Sequence, residues 1–236
     1  MGSYFDGVKL TSKLHVTALS LQLYLSQIPS VSSDLSYIKI MVSIASPPIA
    51  SALTLRINLS DEQFFQLCQD NSDLKFERTT LGEVIIMPPT GGNTGRRNIK
   101  ITTQLEVWNS QTGLGEAFDS STGFQLPNGA TRSPDASWIT SERWETLNPS
   151  EQERFIPLCP DFVVELRSAG DALAPLQAKL QEYMDNGVRL GWLIDPKQQT
   201  VEIYRPNQDV ERLQTPTKLS GETVLPGFIL DLSTIF

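Results

Sequence analysis

The chain has 236 residues, of which 39% are hydrophobic and 19% charged, a composition typical of an ordinary soluble protein built around one large domain. Its formal net charge of −8 argues against a protein that coats nucleic acid nonspecifically, because such binding depends on lysine and arginine neutralising phosphates. No stretch reaches the roughly 18 apolar residues that a membrane-spanning helix needs, and Cys68 and Cys159 form no CxxC motif, so we expect a cytoplasmic protein without disulfides or a zinc site.

Residues 1–55 differ in composition from the rest of the chain, with frequent serine and few charges. We expect this segment to be a poorly ordered N-terminal extension. Met41 is an alternative start for the functional protein, in which case residues 1–40 are an upstream extension of the reading frame.

The first regular elements follow Leu59. Ser60 is a plausible N-cap, because acidic residues that favour a helix N-terminus come directly after it. The segment 76–87 then predicts a β-hairpin with a turn at 80–82, stopped by two prolines. The glycine-rich TGGNTG sequence that follows is expected to be a flexible loop.

Helical spacing of apolar residues predicts a second helix over 98–108, ended by Gly113. Two strand-like pieces follow, over 117–124 and 133–139. The polar segment 141–158 predicts an excursion with a short helix.

The sequence PDFVVELRS, at 160–168, predicts the strongest strand of the chain. A helix ending at Gly187 follows, and 190–204 predicts a second hairpin. The order of elements predicts a single α/β (α+β) domain over 56–236, with a mixed β-sheet flanked by helices.

Glu165 stands in the middle of an apolar strand. Alternation places Asp161, Val163, Glu165 and Arg167 on one face of that strand. A buried carboxylate is strongly disfavoured unless it is paired or binds a metal ion, which makes Glu165 the leading candidate for a functional residue.

Two further residues complete a candidate catalytic site. Lys179 lies at the border of the apolar face of the following helix, from which its ammonium can reach Glu165. Asp135 follows Pro134 at the start of a short strand. Two carboxylates and a lysine suit phosphodiester hydrolysis, because carboxylates bind Mg²⁺ and a lysine steadies the attacking water or the developing charge.

The segments SPDASW, PDFVVELRSAGD, LQAKLQEYMDNGVRLGWLIDP and VEIYRP, together with FERTTLGEVIIMPPTGGNTGRRN, resemble the Uma2 family, also called DUF820. This family is abundant in cyanobacteria and is classed as restriction endonucleases with a PD-(D/E)xK core. The resemblance covers residues from about 56 to 236. It implies a restriction endonuclease-like fold, a divalent metal ion (Mg²⁺ or Mn²⁺), a DNA substrate and endonuclease activity.

The resemblance also implies roles for particular residues. Asp135 is the motif aspartate and Glu165 the motif acid, and both are expected to bind the metal. Arg167 occupies the position of the motif lysine, a departure from the parent pattern, and arginine is no substitute for a tunable lysine. The resemblance implies that the lysine has moved to the following helix, where Lys179 stands. The lower-ranked supporting residues are Glu83, Arg167, Gln181 and Tyr183.

Each of these residues also has a structural interpretation. Glu165 could form a salt bridge with Arg167 or Lys179, Asp135 could be a turn residue, and Lys179 a surface lysine. The alternative function is therefore a catalytically inactive nuclease-fold protein that acts as a binding or regulatory module. If the protein is a nuclease, a homodimer is expected, because two symmetric sites suit the cutting of both strands of a duplex.

Overall fold

A computed structural model describes residues 53–236 of the chain. The predicted start at Met41 and nearly all of the predicted N-terminal extension lie outside these residues. The described part begins with a strand at Leu53–Arg56, which spans the predicted domain boundary at residue 56.

Five helices and thirteen strands make up the described residues. In chain order they are β1 (Leu53–Arg56), α1 (Asp61–Asp70), β2 (Lys75–Arg78), β3 (Glu83–Met87), α2 (Gly92–Thr112), β4 (Gly115–Asp119), β5 (Phe124–Gln125), β6 (Thr131–Arg132), β7 (Ala136–Thr140), α3 (Ser141–Trp144), α4 (Pro149–Gln152), β8 (Phe162–Leu166), α5 (Leu173–Asp185), β9 (Leu190–Asp195), β10 (Thr200–Tyr204), β11 (Glu211–Gln214), β12 (Lys218–Ser220) and β13 (Ile229–Asp231). No helix of this part is long and apolar enough to cross a membrane.

The central six-stranded sheet has the order β11-β10-β9-β8-β7-β4. Strands β8 and β9 are parallel, and every other neighbouring pair in this sheet is antiparallel. A parallel pair needs a long crossover, and α5 supplies it between β8 and β9. The predicted mixed sheet flanked by helices is therefore confirmed.

A second sheet has the order β1-β3-β2-β6-β5 and is antiparallel throughout. Helix α1 covers it, with Phe64 and Leu67 buried against Phe76, Val84 and Ile86. As predicted, Ser60 caps α1, and it does so in a capping box with Gln63. The 76–87 hairpin prediction is also confirmed by β2 and β3.

Apolar side chains cover both faces of the central sheet. On one face, α2 contributes Ile101, Leu105 and Trp108 to a core that also holds the chain's C-terminal residues. On the other face, α5 contributes Leu180 and Tyr183 to a separate core. Functional side chains at the end of strands β7 and β8 can thus be reached from a helix on either face.

Helix α2 begins earlier than predicted. The TGGNTG segment was expected to be a loop, but Gly91 is the N-cap and the helix runs from Gly92 to Thr112. The C-terminal half of the helix is anchored by buried apolar residues, and once nucleated a helix extends at little cost even through weak helix formers. Asn98 therefore lies inside the helix, six residues after its first residue.

Candidate active site

Glu165 is the buried carboxylate at the centre of the site. It lies near the end of β8 and is only 3% exposed. Its Oε1 atom is 2.7 Å from Lys179 Nζ and accepts a hydrogen bond of 3.2 Å from the Tyr183 hydroxyl. Both partners come from α5, so the helix that joins β8 to β9 also holds the acid on β8.

Helix α5 lies unusually close to the sheet at Gly191, on β9. A Cβ atom at this position would lie 2.8 Å from Leu180 Cδ1 and 3.1 Å from Met184 Cε. The absence of a side chain therefore lets α5 approach the sheet closely enough for Lys179 to reach Glu165.

Glu77, on β2 of the second sheet, is a third acid of the site and was not identified from the sequence. It is 3% exposed, and its Oε1 atom is 2.7 Å from Lys179 Nζ. It also accepts a hydrogen bond of 3.1 Å from the backbone N–H of Ser133. Lys179 thus lies between two buried carboxylates from two different sheets.

Arg132 extends this arrangement. The Nη1 atom of Arg132 is 3.1 Å from Glu77 Oε2, and its Nε atom is 2.6 Å from Glu182 Oε2 on α5. Glu165, Lys179, Glu77, Arg132 and Glu182 form a buried chain of alternating charges, which we call the charge network. Alternation of sign offsets the cost of removing each charge from water.

Asp135 stands next to Glu165. In the antiparallel register of β7 and β8, Ala136 pairs with Val164, and the backbone N–H of Asp135 donates to the carbonyl of Val164 at 3.0 Å. The Asp135 carboxylate is close enough to Glu165 for its charge to raise the pKa of Glu165. Asp135 Oδ2 accepts from the backbone N–H of Leu166 at 2.8 Å, which fixes the carboxylate at the end of the strand.

Burial and neighbouring charge set the protonation of these groups. Burial raises the pKa of Glu165 to about 7; Lys179 opposes that rise, while Asp135 and Glu77 add to it. Burial would also raise the pKa of Glu77, but Lys179 and Arg132 outweigh it and hold that pKa below its usual range.

Burial and neighbouring charge also shift the pKa of Lys179, but for this cation each acts in the direction opposite to its effect on an acid. Burial alone would lower the pKa of its ammonium, but the carboxylates of Glu165 and Glu77 outweigh that effect and raise it. Lys179 is consequently a permanent cation at neutral pH and cannot act as a general base. It can orient a water molecule or stabilise developing negative charge.

The structure brings together four of the residues singled out from the sequence: Asp135, Glu165, Lys179 and Tyr183. Burial raises the pKa of the Tyr183 hydroxyl well above its usual range, and Glu165 adds to the shift. Tyr183 therefore remains protonated and donates to Glu165.

The other three supporting candidates point elsewhere. Glu83 pairs with Arg56 at 2.8 Å on the far edge of the second sheet, and Gln181 donates to Asp185 on the exposed side of α5. Arg167 is 2.7 Å from Asp195 at the end of β9. That pairing explains why the position of the motif lysine contributes nothing to the site.

Two further aspartates, Asp161 directly before β8 and Asp195 at the end of β9, are buried. Asp161 is 2% exposed and pairs with Arg143 at 3.0 Å and with Arg189 at 3.6 Å. Asp195 is also 2% exposed and, besides binding Arg167, accepts from the backbone of Lys197 in the turn. Both are structural, because their charges are satisfied away from Glu165.

The sequence contained a signal for Asn98, one of the residues near the site that sequence reasoning did not identify. Asn98 donates from Nδ2 to Asp135 Oδ1 at 3.0 Å, and it precedes Ile101 and Leu105 on the apolar stripe of α2. A polar residue on such a stripe is a candidate for a buried contact. Glu77 offered no comparable signal, because its partners are far away in the sequence.

The oxygens at the end of β7 and β8 fit a divalent metal ion. Among residues 53–236, no three His, Cys, Asp or Glu side chains are grouped to hold an ion by themselves. Mg²⁺, however, is commonly bound by one or two carboxylates and keeps several waters. Asp135 and Glu165 supply that number.

Comparisons with known proteins agree with this architecture. The profile of the Uma2 family, described as "Putative restriction endonuclease", matches residues 61–233. A crystal structure of a "putative nuclease belonging to DUF820" from Anabaena variabilis aligns with a TM-score of 0.58 and 22% identity, covering 68% of this chain and 89% of that one. A search among curated proteins found no match.

A cryo-EM structure of a DrdV–DNA complex overlaps far less, with a TM-score of 0.29 and 12% identity over 50% of this chain and 12% of that one. This overlap is too small to support an argument.

The family match and the DUF820 structure agree with the observed architecture. The fold is that of the restriction endonuclease-like class, a mixed sheet flanked by helices. The chain belongs to the Uma2 family.

Proposed function

We propose that the protein is a metal-dependent DNA endonuclease that hydrolyses phosphodiester bonds. The observation that carries the proposal is that Asp135 and Lys179 both lie beside Glu165 at one end of the central sheet. Membership of a family described as restriction endonucleases supports the same reaction.

Asp135 and Glu165 would hold Mg²⁺ or Mn²⁺. When bound, such an ion lowers the pKa of a water molecule and neutralises charge on the phosphate. Lys179 supplies a fixed positive charge beside Glu165, suited to stabilising the extra negative charge of the transition state. Glu77 and Tyr183 position Lys179 and Glu165 respectively.

Cleavage of supercoiled plasmid and of single-stranded DNA, with Mg²⁺ or Mn²⁺, tests the proposal. We expect Asp135→Ala, Glu165→Gln and Lys179→Met each to lose at least about 100-fold in rate, the range for groups that stabilise transition-state charge. Glu77→Gln is expected to lose less, about 10-fold, because it acts through Lys179.

Two controls keep the comparison specific. Glu83→Gln and Lys197→Met remove an acid on the far edge of the second sheet and an exposed lysine in the β9–β10 turn. Both should cleave at the wild-type rate. If the three site variants also cleave at the wild-type rate, the assignment of the site is wrong.

A binding or regulatory module is the second candidate function. It is favoured by the engagement of Lys179 with two carboxylates and by the pairing of Arg167, at the motif lysine position, with Asp195. A mobility-shift assay discriminates the two functions. DNA binding that persists without cleavage under any divalent metal would support the module and exclude the nuclease.

We further propose that the protein is a cytoplasmic homodimer. Two symmetric sites suit the cutting of both strands of a duplex, and both cysteines are free thiols, as expected in a reducing compartment. Sedimentation equilibrium of the full chain measures the mass directly. A monomer at micromolar concentration, with or without DNA, would exclude the dimer.

A further inference from the structure

Asn98 reaches the site from the face of the sheet opposite α5. It lies on α2, one turn before Ile101, which packs in the core on that face. Its Nδ2 atom donates a hydrogen bond of 3.0 Å to Asp135 Oδ1. Asp135 is thereby held on both oxygens, since Oδ2 accepts from the Leu166 N–H.

The oxygen of the Asn98 side-chain amide has no hydrogen-bond donor among the described residues. Asn98 Oδ1 is buried and accepts no hydrogen bond from any residue of the described part of the chain. The hydrogen bond to Asp135 is made by the amide nitrogen, so the oxygen of the same amide lies on the other side. A buried acceptor without a donor costs about 1–3 kcal/mol, and such groups are rare in folded proteins.

The geometry points to Asn98 as a third residue of the metal site. Its N–H positions Asp135, and its free oxygen accepts a hydrogen bond from the hydration shell of a divalent ion at Asp135 and Glu165. The inference rests on the proposed metal-dependent function and extends it by a neutral residue on α2. Asn98 is a positioning residue in this assignment, because it acts through Asp135 and through bound water.

The chemistry of the ion supports this role. Mg²⁺ gives up its waters reluctantly, so a site with only two carboxylates leaves several waters that need acceptors. Residues that orient the ligands of a metal typically contribute 10–100-fold to its affinity. The unpartnered oxygen of Asn98 is an acceptor of this kind, already buried beside the two acids.

Calorimetric titration with Mn²⁺ tests the inference without any measurement of cleavage. Asn98→Leu has a similar volume but removes both the N–H and the oxygen. We expect it to bind Mn²⁺ at least about 10-fold more weakly than the wild type. Without metal its unfolding temperature should change little, because the loss of the hydrogen bond to Asp135 is offset by the removal of a buried oxygen that has no partner among the described residues.

Two further variants make the result specific. Gln104→Leu changes another amide of α2, which bonds to the backbone of Asp231, and should leave Mn²⁺ affinity within twofold. Asn98→Asp keeps an oxygen but places a second negative charge beside Asp135. It should lower the unfolding temperature without metal and bind Mn²⁺ at least as tightly as the wild type, and it serves if Asn98→Leu does not fold.

The outcomes distinguish failure of the role assigned to Asn98 from failure of the proposed metal-dependent function. If Asp135→Ala abolishes Mn²⁺ binding while Asn98→Leu binds within twofold of the wild type, Asn98 has no part in the site and the proposed function stands. If the wild type binds no Mn²⁺, the metal site and the role of Asn98 are both overturned. Weak binding by Asn98→Asp as well as by Asn98→Leu would also contradict the role of its oxygen.

Discussion

At the scale of single residues, the charge network determines what each group can do. Glu165 and Glu77 are buried on different sheets, and Lys179 is 2.7 Å from both. Removing either acid would leave Lys179 with one partner. Removing Lys179 would leave Glu165 without a cation and Glu77 with Arg132 alone, which is destabilising. The lysine is therefore fixed in place and in charge before any substrate binds.

Glu165 should make the folded protein less stable as the pH rises, whereas a carboxylate in a salt bridge usually has the reverse effect. Burial raises the pKa of Glu165 in the folded protein to about 7 from the usual 4.5, so the folded state binds the proton more tightly than the unfolded state does. Its contribution to stability is present below pH 4.5 and is lost as the pH rises through 7. In metal-free buffer, we expect the free energy of unfolding of the wild type to fall over this range relative to Glu165→Gln, by about 3 kcal/mol.

Urea unfolding of both proteins at pH 5, 6, 7 and 8 measures this difference. Glu77 does not interfere, because its pKa is lowered and its contribution is lost only as the pH falls below about 4.5. Parallel stability curves for the two proteins would show that Glu165 has an ordinary pKa. Added Mg²⁺ should reduce the difference at pH 8, where the ion takes the place of the proton.

At the scale of elements, the end of β8 separates a residue of the site, Glu165, from a structural residue, Arg167. Glu165 points to α5, whereas Arg167, beyond the end of β8, turns to Asp195 at the end of β9. This second pair joins the ends of the two parallel strands. Alternation predicted that both residues share a face, yet only Glu165 lies under the helix, because β8 ends at Leu166.

Arg167→Ala should therefore affect folding and spare the metal site. Loss of the arginine leaves Asp195 buried without its cation, and we expect the free energy of unfolding to fall by about 3 kcal/mol. Mn²⁺ affinity of the folded protein should stay within twofold of the wild type. Unfolding in urea and calorimetry test the two effects separately, with the exposed Arg212→Ala as a control. A large loss of Mn²⁺ affinity would place Arg167 in the site.

At the scale of the whole molecule, the C-terminal segment holds α2 in position. Arg97 Nε donates to the carbonyl of Ile235 at 2.6 Å, and Lys100 Nζ lies 3.1 Å from that of Thr234. Trp108 Nε1 donates to the carbonyl of Pro226 further along the helix. The last residues of the chain thus support the helix that carries Asn98.

Ile235→Ala tests this dependence. The side chain is fully buried in the core between α2 and the central sheet, so we expect a loss of about 2–5 kcal/mol in the free energy of unfolding. Ile229→Ala is the matched control, because that side chain is 49% exposed and its removal should cost little. Equal stability of the two variants, measured in urea, would contradict the proposed anchoring of α2.

The sequence by itself determined the local elements and the main acid of the site. The capping box at Ser60, the alternation along β8 and the helical spacing around Lys179 each depend on residues a few positions apart, and such patterns are set by backbone geometry. The same reasoning identified Glu165, because a carboxylate within an apolar strand needs a partner.

Only the tertiary structure decided which groups meet that acid. Glu77, Asn98 and Arg132 come from a hairpin, a helix and a short strand whose order in the chain says nothing about their distance from β8. The contacts among them depend on how the two sheets and two helices pack, which no local pattern encodes. Glu77 and Glu83 lie on one hairpin, and only packing against α5 distinguishes the acid that pairs with Lys179 from the supporting candidate that pairs with Arg56.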